Sequence, residues 1–400
     1  MRLPVIMVMI CLLLQVAVDA YIFFAAWQRC RRLGAAKFQL LESAFFLIYI
    51  VVFLCLPKRG ESDQMLQLAM WMLFFYLTVY VGKTIYVIFD LIASIPKLMG
   101  KKRVKGISVA GIVCGIAAFM VMWWGALINR HQIQVNEVTV RIDGLPPSFA
   151  GYRIAQISDL HVGTFGQDTT FISKLVEITN AQHPDLIVFT GDIVNRRSDE
   201  LKPFVGPLSR LDAKDGVLSI LGNHDYGDYI DWPSAQDKEI NMEQLLDMQL
   251  AMNWELLTNS STVIYGDTPM DSLVIIGVEN WGEPPFPTYG ELLTAYPTPG
   301  DSAVKILLTH NPVHWQKEVE PVDSLKIDLT LSGHTHAMQV AIGRLSPAAL
   351  KYDTWGGLYE STDGRRPLYV NIGAGAVGVP MRIGATPEVT IFTLIPKKKR

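Results

Sequence analysis

Asp159 and His161 stand two residues apart where an apolar run, Arg153–Ser158, gives out. Four later runs end in the same kind of cluster. Asp185–Thr190 leads into Asp192, and Gly216–Leu221 leads into Asn223, His224 and Asp225. Val304–Thr309 leads into His310, and Ile327–Leu331 leads into His334 and His336. Carboxylate, amide and imidazole donors together suit Mn, Fe, Zn or a similar divalent ion. Two such ions ~3.5–4 Å apart can clamp the attacking and leaving oxygens of a phosphoryl group. Two cations that close need a bridging anion, which an aspartate on a central strand can supply. A single histidine is most often a satisfied structural one. Seven donors, each at the end of an apolar run, have no shared structural purpose and point to a site.

Donors this far apart in sequence converge only if the runs are neighbouring strands. In open α/β sheets, ligands bind at the carboxyl ends of the strands. The pattern around the runs fits that architecture: Phe171–Ala181 and Asn241–Met252 have helical spacing. Glu200–Leu211 is helical but weakened by Pro203 and Pro207. Val135–Ile142, Ser272–Val278, Pro367–Ile372 and Val389–Ile395 read as further strands. Alternation of this kind predicts an α/β sandwich.

The near-neutral total charge conceals two opposite parts. Residues 1–130 hold 14 Lys/Arg and 5 Asp/Glu (net +9); the remainder holds 21 and 33 (net −12), which sum to the overall −3. An acidic domain is a poor match for nucleic acid, whose binding rests on cationic phosphate contacts. All four cysteines lie in the first part, so the second has no thiolate metal ligands and no disulfide. Four apolar runs, roughly Leu3–Trp27, Phe38–Leu56, Leu66–Ala93 and Ile107–Ile128, match or exceed the ~20 residues that cross a bilayer core. No cleavable signal peptide is expected, because the first run is too long for one and three more follow. Arg29, Arg31, Arg32 and Lys37 fill the first loop. Lys97, Lys101, Lys102, Arg103 and Lys105 fill the third. In the second, Lys58 and Arg59 are balanced by Glu61 and Asp63. The excess of positive charge puts loops one and three in the cytoplasm, and everything after the fourth helix outside. Asp19, Lys83 and Asp90 fall within the spans, where ionisable groups either tie helices together or mark a pathway.

Asp-x-His (159–161), Gly-Asp (191–192), Gly-Asn-His-Asp (222–225), His310 and Gly-His-Thr-His (333–336) occur in this order, with about thirty residues separating each of the first blocks. This set resembles that of the calcineurin-like metallophosphoesterases over roughly residues 150–395. The four-helix anchor and the closing segment Asn371–Glu388 resemble the family's membrane-associated bacterial branch. The resemblance implies a four-layer α/β/β/α domain, a two-sheet β-sandwich flanked by helices, behind an all-α domain of four transmembrane helices. The corresponding division is 1–130 anchor, 131–151 linker and first strand, 152–400 catalytic domain. It implies two divalent ions, one held by Asp159, His161, Asp192 and His336, the other by Asp192, Asn223, His310 and His334, with Asp192 bridging. Hydrolysis by a metal-bridging hydroxide would follow, on a phosphorylated small-molecule or lipid-linked substrate. His224 would act on the phosphoryl group or the leaving oxygen, with Asp225 as its orienting partner.

Arg382 is a candidate for a phosphate oxygen. Tyr226, Tyr229 and Trp232 could close over the site, as could Tyr352, Trp355 and Tyr359 in the long connection Gly343–Arg366, unless those aromatics anchor the domain at a bilayer interface. Of these, Arg382, Tyr226 and Trp355 are the expected substrate contacts. His314 is one helical turn from His310 and reads as structural, as do His131 and His183. The basic tail Lys397–Arg400 is a solvated end, one that anionic headgroups would attract. Two alternatives remain open on sequence alone: a non-catalytic membrane receptor or scaffold retaining the fold, and a transport-linked bundle with an appended hydrolase.

Overall fold

A computed structural model describes residues 5–30, 33–56, 62–268, 270–284, 287–297 and 303–397. Leu3 and Pro4 of the first apolar run, the loop residues Arg31, Arg32, Lys58, Arg59 and Glu61, and the tail residues 398–400 lie outside the described residues. The chain forms two compact units: a helical one up to Leu127, to which Gly378–Met381 also belongs, and a sheet-based one from Ile128.

The first unit is built from α1 (Val5–Cys30), α2 (Leu33–Cys55), α3 (Asp63–Ser94) and α4 (Lys105–Leu127). Gly34–Cys55, Asp63–Met99 and Lys105–His131 are long and apolar enough to cross a bilayer; in α1 the qualifying apolar stretch, Met9–Ala25, is shorter. α3 and α4 approach closely at a pair of glycines: a Cβ on Gly115 would lie 2.7 Å from the Gly82 carbonyl oxygen. Small residues permit such contact where lipid offers no hydrophobic drive to association. The ionisable groups act as ties between helices. Lys83 on α3 pairs with Asp19 on α1 at 2.7 Å and with Glu42 on α2. Tyr80 donates to Asp19 at 2.8 Å. Asp90 accepts from Tyr21 at 2.7 Å and pairs with Arg103.

The second unit carries two six-stranded mixed sheets. Its strands are β1 (Gln134–Ile142), β2 (Arg153–Ile157), β3 (Leu186–Phe189), β4 (Val217–Ser219), β5 (Trp254–Leu256), β6 (Ser260–Tyr265), β7 (Ser272–Gly277), β8 (Val304–Leu308), β9 (Leu329–Ser332), β10 (Gly357–Tyr359), β11 (Leu368–Val370) and β12 (Glu388–Pro396). One sheet runs β1-β12-β2-β3-β4-β5, the other β10-β11-β9-β8-β7-β6. Within them β2, β3, β4 and β5 are mutually parallel, as are β7, β8, β9 and β11.

Side-chain alternation along the strands builds the layers. Ile154, Val188, Leu218, Ile275, Ile306 and Leu331 meet between the sheets. Their sequence neighbours Ala155, Ile187 and Phe189 face outward against α5 (Thr170–Asn180) and α6 (Ala235–Ala251). Val274, Ile276 and Leu307 pack on the other side against Trp315 and Val319. The result is the expected four-layer arrangement.

Several boundaries differ from the sequence expectation. α6 starts six residues earlier than its apolar spacing suggests, because Ser234 caps it by accepting from the Asp237 N–H. Glu200–Leu211 is a 3-10 segment followed by one short helical turn, as the two prolines require. β5, β6 and β10 are edge strands; β5 and β10 have only three residues each, too few to show a period in the sequence. Residues 131–151 include β1, which pairs with β12 along its full length.

Candidate metal centre

Each predicted donor lies just past the carboxyl end of a parallel strand: β2 for Asp159 and His161, β3 for Asp192, β4 for Asn223, β8 for His310, β9 for His334 and His336. The two sheets therefore contribute donors to one locus. Buried Gln156 helps fix their offset, donating from Nε2 to Thr190 Oγ1 and to the Ser332 carbonyl.

The backbone at the donors is strained. Asp159, His161, Asp192, His334 and His336 all have positive φ, between 45° and 77°. Residues other than glycine adopt that region at a cost of about 1–3 kcal/mol each, which marks functional sites. Close packing adds to it: a Cβ on Gly222 would fall 2.2 Å from Asp192 Oδ1, so only glycine fits in the Gly-Asn-His-Asp turn.

Two triads converge, Asp159–His161–His336 and Asp192–His310–His334. In the first, His336 Nε2 lies 3.2 Å from Asp159 Oδ1 and 3.0 Å from His161 Nε2. In the second, His310 Nε2 lies 3.1 Å from Asp192 Oδ2 and 3.2 Å from His334 Nδ1. Asp192 Oδ2 is also 3.5 Å from His161 Nε2, so a single carboxylate oxygen reaches both triads. Asn223 Oδ1 is buried and accepts no hydrogen bond among the described residues, while its Nδ2 donates to Tyr229.

These features fit divalent cations. Imidazole nitrogens facing each other at 3.0 and 3.2 Å cannot both donate. Two fully buried carboxylates need positive charge beside them, and an orphaned amide oxygen needs an electrophile. Burial, together with His310, pushes His334 down to about 3, which keeps a lone pair available. Burial works against the charged form of His310 too, but the Asp192 carboxylate beside it wins and raises it to about 10, substituting a proton for a cation. The rings are oriented from behind. His310 Nδ1 donates to the Thr190 carbonyl at 2.7 Å, and His334 Nε2 lies 3.2 Å from the Tyr352 hydroxyl.

His224 also faces the locus, with its backbone N–H on Asp192 Oδ1 at 2.8 Å and its ring 4.8 Å from that of His161. It forms a third possible donor group with His161 and Asp192. Its Nδ1 is committed to the Asn195 carbonyl at 2.6 Å, and Tyr229 stacks on it at 4.2 Å. Burial holds it below the usual histidine value.

Three expectations are corrected. Asp225 does not orient His224: its carboxylate accepts the backbone N–H of Asp192 (2.8 Å), Ile193 (2.9 Å), Val194 (3.2 Å) and Gly222 (2.8 Å), clamping the Asp192 turn. Burial and Asp192 push it up to about 7 against those donors. Arg382 is fully buried and reaches no open surface. It donates to the Gly375, Ala385 and Ile372 carbonyls and lies 3.0 Å from His336 Nδ1. Tyr226 points into the core, stacked on Tyr289 and bonded to Glu279 and Asn280. Trp355 stays half-buried, packed with Val313, Ala348 and Tyr352, and its carbonyl accepts from Thr335. The aromatic residues that do touch donors are Tyr229 and Tyr352. Both stand in clusters the sequence singles out, yet nothing in the sequence ranks them above their neighbours. His314 is structural, bonded to Thr309 and Glu318.

Residues 152–338 match the family model described as calcineurin-like phosphoesterase. Residues 1–130 match one described as probable calcineurin-like phosphoesterase, transmembrane domain. The chain is similar to an uncharacterized metallophosphoesterase of Bacillus subtilis, at 29% identity over 305 residues, 74% of this chain and 98% of the relative. An uncharacterized metallophosphoesterase of Campylobacter jejuni is 26% identical over 375 residues, 90% and 92% of the two chains. A transmembrane protein with metallophosphoesterase domain from Danio rerio is 27% identical over 325 residues, 77% and 69% of the two chains.

Proposed function

This chain belongs to the calcineurin-like metallophosphoesterase family and carries that family's transmembrane domain, and from this premise we propose that it is a membrane-anchored, two-metal hydrolase of a phosphomonoester, phosphodiester or pyrophosphate. The observation that carries the reading is Asp192 Oδ2, which lies 3.1 Å from His310 in its own triad and 3.5 Å from His161 in the other. Asp159, His161, Asp192 and His336 would hold one ion. Asp192, Asn223, His310 and His334 would hold the other. When bound, such a pair supplies Lewis acidity and a nucleophile at neutral pH.

His224 handles the proton. With Nδ1–H held by the Asn195 carbonyl, exchange is confined to Nε2. A ring protonated there donates to the leaving oxygen or to the charged phosphoryl group. Tyr229 limits the ring's rotation by stacking on it. A lipid-linked substrate suits a chain that is held at a bilayer, and the loop charges favour an extracytoplasmic site.

The test is metal analysis of the purified full chain together with a panel of phosphoesters. Asp192→Asn is expected to lose both metal and activity. His224→Ala is expected to keep its metal and lose ~10²–10⁴-fold in rate. Activity that survives both changes refutes the mechanism.

A further inference from the structure

Just beyond the last metal donor, the chain turns apolar side chains outward. Ile342 and Leu345 pair across a tight hairpin, Ile342 N donating to the Leu345 carbonyl at 2.8 Å and Leu345 N returning the bond at 3.1 Å. Directly paired residues project to the same face of a ladder, yet the two are 73% and 76% exposed. Leu350, closing the 3-10 turn Pro347–Leu350, is 93% exposed, and Met338 is 42% exposed. Exposed Arg344 at the hairpin tip and exposed Lys351 flank them. The aromatic residues of the same stretch turn inward, Tyr352 onto His334 and Trp355 into a small core. The segment is well anchored: Ser346 Oγ donates to the Ala337 carbonyl and accepts from the Ala348 N–H, and Thr335 Oγ1 holds the Trp355 carbonyl. It follows directly on the region matched by the phosphoesterase family model, which ends at residue 338.

Large aliphatic side chains interleaved with cations, on a rigid support, are the composition of an interfacial membrane contact. Aliphatic groups enter the headgroup boundary while Arg and Lys meet anionic lipid. The occupant is specified by the rest of the chain, since the domain is joined to bilayer-length helices: α4 ends at Leu127 and β1 begins at Gln134. We infer that the 338–351 segment is a membrane-docking loop that seats the catalytic domain on an anionic lipid surface through Ile342, Leu345 and Leu350.

The test reads lipid contact and no catalysis, so it stands or falls apart from the phosphoesterase mechanism. Leu345→Cys and Leu350→Cys are made in a full chain whose Cys11, Cys30, Cys55 and Cys114 are replaced by serine. Each is labelled with an environment-sensitive fluorophore and reconstituted into phosphatidylcholine–phosphatidylglycerol vesicles containing doxyl-labelled lipid. Strong quenching is expected at both positions and none at Leu250→Cys, a control 74% exposed on α6. Ile342→Asp with Leu345→Asp is expected to abolish quenching at 350 without moving the thermal midpoint, because both side chains are already in solvent. Equal quenching at 345, 350 and 250 overturns the inference. So does a buried fluorophore that doxyl lipid cannot reach, which would assign the surface to a protein partner.

Discussion

Replacing Asp225 by asparagine probes how the Asp192 turn is held. The side chain is buried, and its two oxygens each accept two backbone N–H groups: Asp192 and Gly222 on one, Ile193 and Val194 on the other. Asparagine keeps the shape but turns one oxygen into an NH2 group, a donor facing two donors. Two of the four bonds are lost whichever way the amide is flipped. Hydrogen bonds to a charged group are worth about 1.5–3 kcal/mol each, so above about pH 7, where Asp225 is ionised, the change costs roughly 3–6 kcal/mol. For a domain of this size that corresponds to a fall in thermal midpoint of about 5–10 °C. Because the clamp sets the backbone of Asp192, bound metal is expected to be lost as well. Calorimetry and metal analysis of the full chain in detergent check both. A midpoint within about 2 °C of the parent, with full metal content, would refute the clamp. His224→Ala, which removes no buried support of this kind, should leave both readouts unchanged.

Tyr352→Phe removes the hydroxyl behind His334 Nε2 and is expected to weaken metal binding about 10–100-fold, measured by competition with a chelating dye, with little change in fold. Burial raises Glu388 to about 7, against the opposing effects of the Ile372 N–H and Arg382. The folded state then binds that proton more tightly than the unfolded one, so stability falls as pH rises between about 4.5 and 7. Glu388→Gln should flatten that slope in denaturant titrations, and an unchanged slope would exclude this residue as its source. Chelation leaves Asp159 and Asp192 buried without cations. It should lower stability reversibly, by up to ~4 kcal/mol for ions that had been at a thousandfold excess over Kd, read as a lower thermal midpoint. A reporter after Arg400 that is active only in the cytoplasm would contradict the extracytoplasmic placement of the domain.

Much of this protein is legible in its sequence because strand geometry is local. An apolar run ending in donors is the one-dimensional trace of a buried parallel strand whose carboxyl end faces a site. Asp159, His161, Asp192, Asn223, His310, His334 and His336 could therefore be read in order, and residues 175 apart placed together. The bilayer helices were legible for a similar reason: about 20 apolar residues in succession can be satisfied in lipid with little tertiary help.

Side-chain direction in loops has no such period, and there only the tertiary structure decided. Tyr226 and Tyr229 are three residues apart; packing sends the first into the core with Tyr289 and the second over His224. Arg382 has the chemistry of a phosphate ligand, but three carbonyls and His336 enclose it. Asp225 stands next to His224, yet its carboxylate turns back to the N–H groups of another strand's turn. The candidate donors could be picked out in the sequence because metals select atoms by type. The roles of the supporting residues could not, because they depend on which backbone groups the folded chain leaves without a partner at each turn.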